Sequence, residues 1–327
     1  MKKAAILGTG YYAPEKVVTN FDLEKILDTT DEWISQRTGI KERHLAADGE
    51  YTSDLGVKAA LKALKNANVK KEEIDFVITA TITGDYIWPA TANIISDKLG
   101  IRNVPSMDVS AACSGFVYSL AIAKSFIESG MYKKILVIAA EEFTKVVDWQ
   151  DRSMCVLFGD GSGAAVIGES SNENEGILSI YLSSDGSNVP LLFRPGGGII
   201  NPLSQETLEK KLQFARMDGR EVYKYAVIKM QEAIEIAIDK AGVTINDIDC
   251  FIFHQANKRI IDSIAAKLNI PPEKNFINID RYANTSAATI PMALAEAMEM
   301  GKIKKGMLIG ISVLGAGFTW GAAVIKL

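Results

Sequence analysis

The 327-residue chain is poor in the residues that build metal and cross-linked sites, with three cysteines and two histidines. Cys113, Cys155 and Cys250 lie far apart, with no C-x-x-C pair and no histidine at ligand spacing. That excludes a structural zinc site and a disulfide framework, and no metal is expected. An excess of positive charge is lacking too: 36 Lys and Arg stand against 40 Asp and Glu, a formal net charge of −4. Nucleic-acid binding needs a basic surplus to displace counterions, so no nucleic-acid partner is expected. Any anionic ligand has to be met by a local basic patch. The opening MKKAAILGTGYY holds an apolar run too short for a signal-peptide core and reads as a first strand. With its thiols unpaired, the chain is expected in a reducing cytoplasm. A long uncharged run does occur, MLIGISVLGAGFTWGAAVI at 307–325. Its internal glycines and β-branched ends fit two buried strands joined at Gly315–Gly317 better than a membrane span, so no membrane association is expected.

What is present is ordinary globular composition, 48% hydrophobic and 23% charged, in a length that suits about two domains. Apolar helical spacing at 54–68 and 115–129 alternates with buried-strand patterns at 74–82 and 133–141, which predicts an α/β architecture with largely buried sheets. The order then repeats. IDFVI at 74–78 returns as IDCFI at 248–252, 174 positions on; KLGI at 98–101 returns as KLNI at 267–270, 169 on; SGMYKK at 129–134 returns as MGKIKK at 300–305, 171 on. Matches in the same order between matching elements read as an internal duplication. The polar stretch SSNENEG at 170–176 marks the junction, giving halves 1–171 and 172–327.

Cys113 follows a strand-like segment ending near Val109 and opens an amphipathic helix, among the small residues Ala111, Ala112, Ser114 and Gly115. A thiol at a helix N-terminus feels partial positive charge and unpaired N–H groups, which predicts a lowered pKa and a reactive thiolate. The local offset of 171 pairs position 113 with Asn284, a neutral amide donor suited to a carbonyl oxygen that gains charge. His254 ends the buried strand IDCFIF and is the second candidate partner, as base or donor. His44, in GIKERHLA, has no such setting and reads as structural. Neither GTG at 8–10 nor GDGSG at 159–163 completes G-x-G-x-x-G, so dinucleotide binding has no support; these glycines fit turns and close backbone packing. Trp33 and Arg37, one helical turn apart, and Arg152 are candidates for an aromatic, phosphate-bearing ligand. Lys258 and Arg259, with Lys224 and Lys267, are candidates for docking an acidic partner protein. The turn LGAGF at 314–318 is placed to aim backbone N–H groups into a cavity.

These motifs together resemble the β-ketoacyl-acyl-carrier-protein synthase III family over essentially the full chain. The resemblance rests on GTG-x-Y-x-P at 8–14, DEWI-x-x-RTGIKERH at 31–44, DVSAACSGF at 108–116, DR-x-x-x-x-LFGDGSGA at 151–164, HQAN at 254–257, NTSAA at 284–288 and GFTWGAA at 317–323. It implies a thiolase-like duplicated five-layer αβαβα fold, usually a homodimer, that initiates fatty acid synthesis. It implies a ping-pong reaction in which Cys113 takes an acyl group from acyl-CoA and malonyl-acyl carrier protein then supplies the carbon nucleophile with loss of CO2. His254 and Asn284 would stabilise the enolate, and the N–H groups of Cys113 and Ala316 the oxyanion. Trp33, Arg37 and Arg152 would bind the CoA nucleotide, Asn257 the pantetheine arm, and Arg259 with neighbouring bases the carrier protein. Trp88 and Phe318 would line the acyl pocket, and CoA thioesters are substrates, with no further cofactor.

Two positions depart from the family pattern: Ala316 stands where a glycine is usual, and Trp88 where phenylalanine is common. The competing chemistry is transfer of the Cys113-bound acyl group to a non-malonyl acceptor, which shares the first half-reaction. Elongating synthases would need His44 as a second catalytic histidine, and degradative thiolases a second cysteine, for which Cys250 in a strand is badly placed.

Overall fold

The computed structural model describes residues 2–172 and 174–327. The first sheet is formed by β1 (Ala4–Tyr12), β2 (Phe76–Ala80), β3 (Ser106–Val109), β4 (Lys134–Glu141) and β5 (Gly161–Glu169), in the order β1-β5-β4-β2-β3. The second is formed by β6 (Gly176–Ser184), β7 (Cys250–Phe253), β8 (Leu308–Gly315) and β9 (Thr319–Lys326), in the order β7-β8-β9-β6. In each sheet one parallel pair, β2 with β4 and β7 with β8, continues into an antiparallel partner, β5 or β9. The fifth strand is reduced in the second sheet to one parallel bridge, Phe251 with Asn275.

The strands read as unbroken apolar runs because both faces of each sheet are covered. Along β4, Leu136, Ile138 and Ala140 pack outward with α1 (Thr52–Ala67) and α2 (Thr91–Leu99), while Ile135, Val137 and Ala139 pack inward. The inner layer is α3 (Gly115–Glu128) and α6 (Thr289–Glu299), side by side between the sheets. On the far side, Phe251 and Phe253 of β7 face α4 (Gly219–Ala241) and α5 (Lys258–Lys267). The result is five alternating layers, α-β-α-β-α. The uncharged run at 307–325 is the β8–β9 antiparallel pair at the heart of the second sheet, and no helix among the described residues is long and apolar enough to cross a membrane.

The glycines of GDGSG serve packing and not turns. Gly161 and Gly163 open β5, where a Cβ on Gly163 would come within 2.7 Å of the Pro291 and Met292 backbone. Their absence of side chain lets the buried helix α6 lie directly on the sheet.

The two halves follow one plan, and the structure corrects the register of their match. The turn Ala112–Ser114 precedes α3 and the turn Ser286–Ala288 precedes α6, with Ala112 and Ser286 both left-handed at φ 46° and 52°. Position 112 therefore corresponds to 286, an offset of 174, and Cys113 corresponds to Ala287, not Asn284. The offset of 171 holds only at the far ends of these helices, where Gly130 and Gly301 are both left-handed. The physical reason is helix length: α3 has 14 residues and α6 has 11, so the register slips by three between start and end.

Candidate active site

The turns that open α3 and α6 meet head to head, and a cavity of about 420 Å³ opens beside them. Cys113, His254 and Asn284 all line it, together with Ser110, Ala316 and Gly317. Apolar side chains such as Phe143, Leu157, Phe158, Leu192 and Met217 form much of the remaining wall.

Cys113 sits in the turn between β3 and α3, almost wholly buried, with Sγ 3.5 Å from Ser286 Oγ. Burial pushes its thiol up to about 12, opposed by the Ser286 contact and assisted by the nearby Glu141 carboxylate. The expectation of a lowered pKa fails because desolvation of the charged form outweighs the helix N-terminus. A Cβ on Gly315 would lie 2.8 Å from the Cys113 nitrogen and 2.9 Å from that of Ser114. Only glycine there lets the end of β8 press against the amides of the cysteine turn, beside Ala316 at the cavity wall.

His254 follows β7 directly, and its backbone N–H donates to Ser312 on β8, which fixes the strand end. Its Nδ1 lies 2.6 Å from Thr289 Oγ1 in the first turn of α6. With the hydroxyl donating to Nδ1, the ring proton resides on Nε2. Burial drives the imidazole down to about 3, so the ring is neutral across the working range of pH. Asn284 is held by its backbone, which donates to Leu157 and accepts from Gly159. Its Oδ1 accepts from the Ser286 N–H at 2.8 Å, and no acceptor among the described residues takes the Nδ2 hydrogens. The site thus presents one thiol and two uncharged donors to a single apolar-walled space.

Sequence reasoning missed Ser286, Thr289 and Glu141. The first two lie inside the same N-T-S-A-A-T segment as Asn284, where hydroxyls beside a candidate were the available signal. Glu141 ends the apolar run ILVIAA and is fully buried. Its Oε2 accepts from the Thr81 and Thr83 hydroxyls and the Ile82 and Thr83 amides, and its Oε1 from the Ser286 hydroxyl at 3.1 Å. A lone carboxylate closing a buried strand was the sign.

Of the candidate nucleotide-binding residues, Arg37 and Arg152 flank one ring, their guanidinium carbons 4.8 and 4.9 Å from the Trp33 centroid. These three stand outside the cavity wall, whereas Asn257 lines it and caps α5 by accepting from the Arg259 N–H. Gly39, just past the Trp33 helix, packs against Lys258, which brings the two groups onto neighbouring elements. Among the docking candidates, Lys224 pairs with Glu221 and Lys258 with Asp262, while Arg259 lies over the ring of Tyr223, a cavity residue. Lys267 is in the last turn of α5.

The two acyl-pocket candidates lie apart from the cavity wall of this chain. Trp88 does not line the cavity: it is 82% exposed, on a surface segment with Tyr86 and Ile87. Phe318 is buried and outside the cavity lining, its ring 5.1 Å from that of Tyr225. His44 is a packing residue, bonded through Nδ1 to the Pro14 carbonyl and lying against Tyr282.

The chain is similar to known proteins over its whole length. Residues 107–186 match the family model described as 3-oxoacyl-[acyl-carrier-protein] synthase III, and residues 238–327 its C-terminal model. The chain is 50% identical over 323 residues to a β-ketoacyl-[acyl-carrier-protein] synthase III of Caldanaerobacter subterraneus subsp. tengcongensis, covering 99% of this chain and 97% of that one. A protein of the same name from a Sulfurovum species is also 50% identical, over 98% of this chain and 95% of its own. Among solved structures, 3-oxoacyl-[acyl-carrier-protein] synthase III from Aquifex aeolicus VF5 is similar, with a TM-score of 0.92 and 46% identity over 100% of both chains.

Proposed function

The chain belongs to the β-ketoacyl-acyl-carrier-protein synthase III family, and from that premise we propose that Cys113, His254 and Asn284 carry the family's reaction in the cavity they share. That reaction is the decarboxylative condensation of an acyl-CoA with malonyl-acyl carrier protein, which initiates fatty acid synthesis and yields β-ketoacyl-acyl carrier protein, CoA and CO2. The observation that carries the residue assignment is the meeting of one thiol and two neutral donors on a single cavity wall.

In the first half-reaction the sulfur of Cys113 attacks the thioester carbonyl of acyl-CoA and CoA leaves. The tetrahedral oxyanion is held by the backbone N–H groups of Cys113 and Ala316, which the close approach of Gly315 supports. Fixed donors in a dry cavity stabilise such charge without reorganising. In the second, malonyl-carrier protein enters with its thioester oxygen between His254 Nε2–H and Asn284 Nδ2. As CO2 departs, negative charge moves onto that oxygen and both donors strengthen. The carbanion then attacks the acyl-Cys113 carbonyl. A neutral histidine suits this role, because a donor that holds its proton at every relevant pH needs no protonation step. No prosthetic group enters the scheme.

Trp33, Arg37 and Arg152 are assigned to the CoA nucleotide, Asn257 to the pantetheine arm, and Arg259 with its basic neighbours to the carrier protein. We assign the enzyme to the cytoplasm as a homodimer, with the exposed Tyr86–Trp88 segment in the subunit contact. An acyl-CoA panel with malonyl-carrier protein tests the reading. Release of CO2 with a product two carbons longer than the primer supports condensation, and acyl transfer without CO2 release overturns it.

A further inference from the structure

We propose that Ser286 and Glu141 form a proton relay for Cys113, in which Ser286 accepts the thiol proton while passing its own to Glu141, which stores it for the lifetime of the acyl-enzyme. The proposal rests on Cys113 being the nucleophile. Its ground is a continuous chain of contacts: Cys113 Sγ to Ser286 Oγ at 3.5 Å, and Ser286 Oγ to Glu141 Oε1 at 3.1 Å. The direction is set by the end of the chain. An ionised carboxylate only accepts, so the serine hydroxyl donates to Glu141 and its lone pairs face the thiol.

The site needs such an acceptor. The thiol is buried and its ionisation is opposed, and the cavity's histidine has its Nδ1 engaged with the Thr289 hydroxyl. Glu141 is the buried carboxylate that reaches the cysteine through a single hydroxyl. Its neighbours at hydrogen-bond distance are the neutral groups of Thr81, Ile82, Thr83 and Ser286. The titratable group facing it is Cys113, while Glu142, just past the end of β4, interacts with Asp160, Lys145 and Asp85. Burial lifts Glu141 to about 7, so proton uptake there is within reach near neutrality.

The protons and bonds balance. In acylation the Cys113 S–H bond breaks, a C–S bond forms to the acyl carbon and the acyl–CoA C–S bond breaks. The thiol proton moves to Ser286 as the serine proton moves to Glu141, and CoA leaves as thiolate to be protonated by solvent. In condensation the new C–C bond forms and the acyl–Cys113 bond breaks with its electron pair on sulfur. The proton on Glu141 then returns through Ser286 to that sulfur.

The test is the pH dependence of Cys113 alkylation by iodoacetamide in the full-length protein, with Ser286→Ala and Glu141→Gln each checked for folding by thermal melt. The native enzyme should show a rate that rises with pH through an inflection near 7, as Glu141 ionises. Both variants should lose that inflection and react roughly 10²-fold more slowly near neutral pH, the low end of what a positioned proton acceptor contributes. Ser286→Ala retains Glu141 and its other donors, so it decides the matter if Glu141→Gln does not fold. Profiles that keep the native inflection in folded variants, with labelling abolished in Cys113→Ala, overturn the relay alone. Undiminished labelling in Cys113→Ala overturns the nucleophile and the relay together.

Discussion

Asn284 and His254 each enter the cavity with one polar atom already committed, to the Ser286 amide and to Thr289. What is left on both is a hydrogen to donate. Replacing either with alanine should leave acyl-Cys113 formation measurable by intact mass while slowing condensation by roughly 10²–10³, the usual loss for one fixed oxyanion donor. Because burial holds His254 near 3, lowering the pH from 8 to about 5 should not by itself protonate it. Decarboxylation of malonyl-carrier protein by the Cys113→Ala variant should therefore stay level across that window, and an acid limb near 6.5 would contradict the neutral donor. At Gly315 an added methyl would strike the amides of Cys113 and Ser114. Gly315→Ala should cut the acylation rate in a rapid-quench assay, with the loss in kcat larger than in KM. Cys113 and His254 were legible as candidates because a small-residue turn and a strand end mark them in sequence. The thiol's raised pKa was not, since burial is set by the second half of the chain folding over the first.

At the scale of elements, alternation and repetition carried the reading a long way. The apolar runs at 74–82, 133–141 and 307–325 are buried strands because helices cover both faces of each sheet. The repeat between halves was visible at helix ends, where Gly100 and Asn269 or Gly130 and Gly301 adopt the same left-handed turn. Its register at the site was not visible, because α6 is shorter than α3 by three residues and nothing in the local sequence marks where the deletion falls. Asn284 was thus reached through a pairing the structure does not keep; its spatial role comes from the turn preceding α6. That helix also supplies the hydroxyl which orients His254. Thr289→Val should keep the helix and the acylation step but weaken condensation by about 1–3 kcal/mol, the cost of an unmade buried hydrogen bond, measured as CO2 release in single turnover.

For the whole molecule, the surfaces carry the argument. Trp88 in DYIWPATA, expected in an acyl pocket, is 82% exposed on this chain, and Ile87 beside it is 88% exposed. Contiguous exposed apolar side chains of this size mark a contact surface. On the proposed homodimer, Ile87→Asp combined with Trp88→Asp should shift sedimentation toward monomer, and an unchanged sedimentation coefficient would overturn the assignment of this segment to the subunit contact. Charge was equally hard to read, since Lys224 and Lys258 are each met by a carboxylate on their own helix. Arg259, over the ring of a cavity tyrosine, is met by no carboxylate among the described residues and lies nearest the cavity. Arg259→Glu should raise KM for malonyl-carrier protein severalfold while leaving that for acyl-CoA nearly unchanged, and more so at low salt.

The head-to-head meeting of the two helix turns carries a consequence for ancestry. In an assembly of two identical half-length chains, whatever occupies one turn must occupy the other. A cysteine at the position of 113 would then face a second at the position of 287, two sulfurs competing for one substrate and open to oxidation against each other. Fusing the copies into one polypeptide frees each turn to change alone. In the single polypeptide the two turns already differ: Cys113 on one corresponds to Ala287 on the other, so one sulfur stands where they meet.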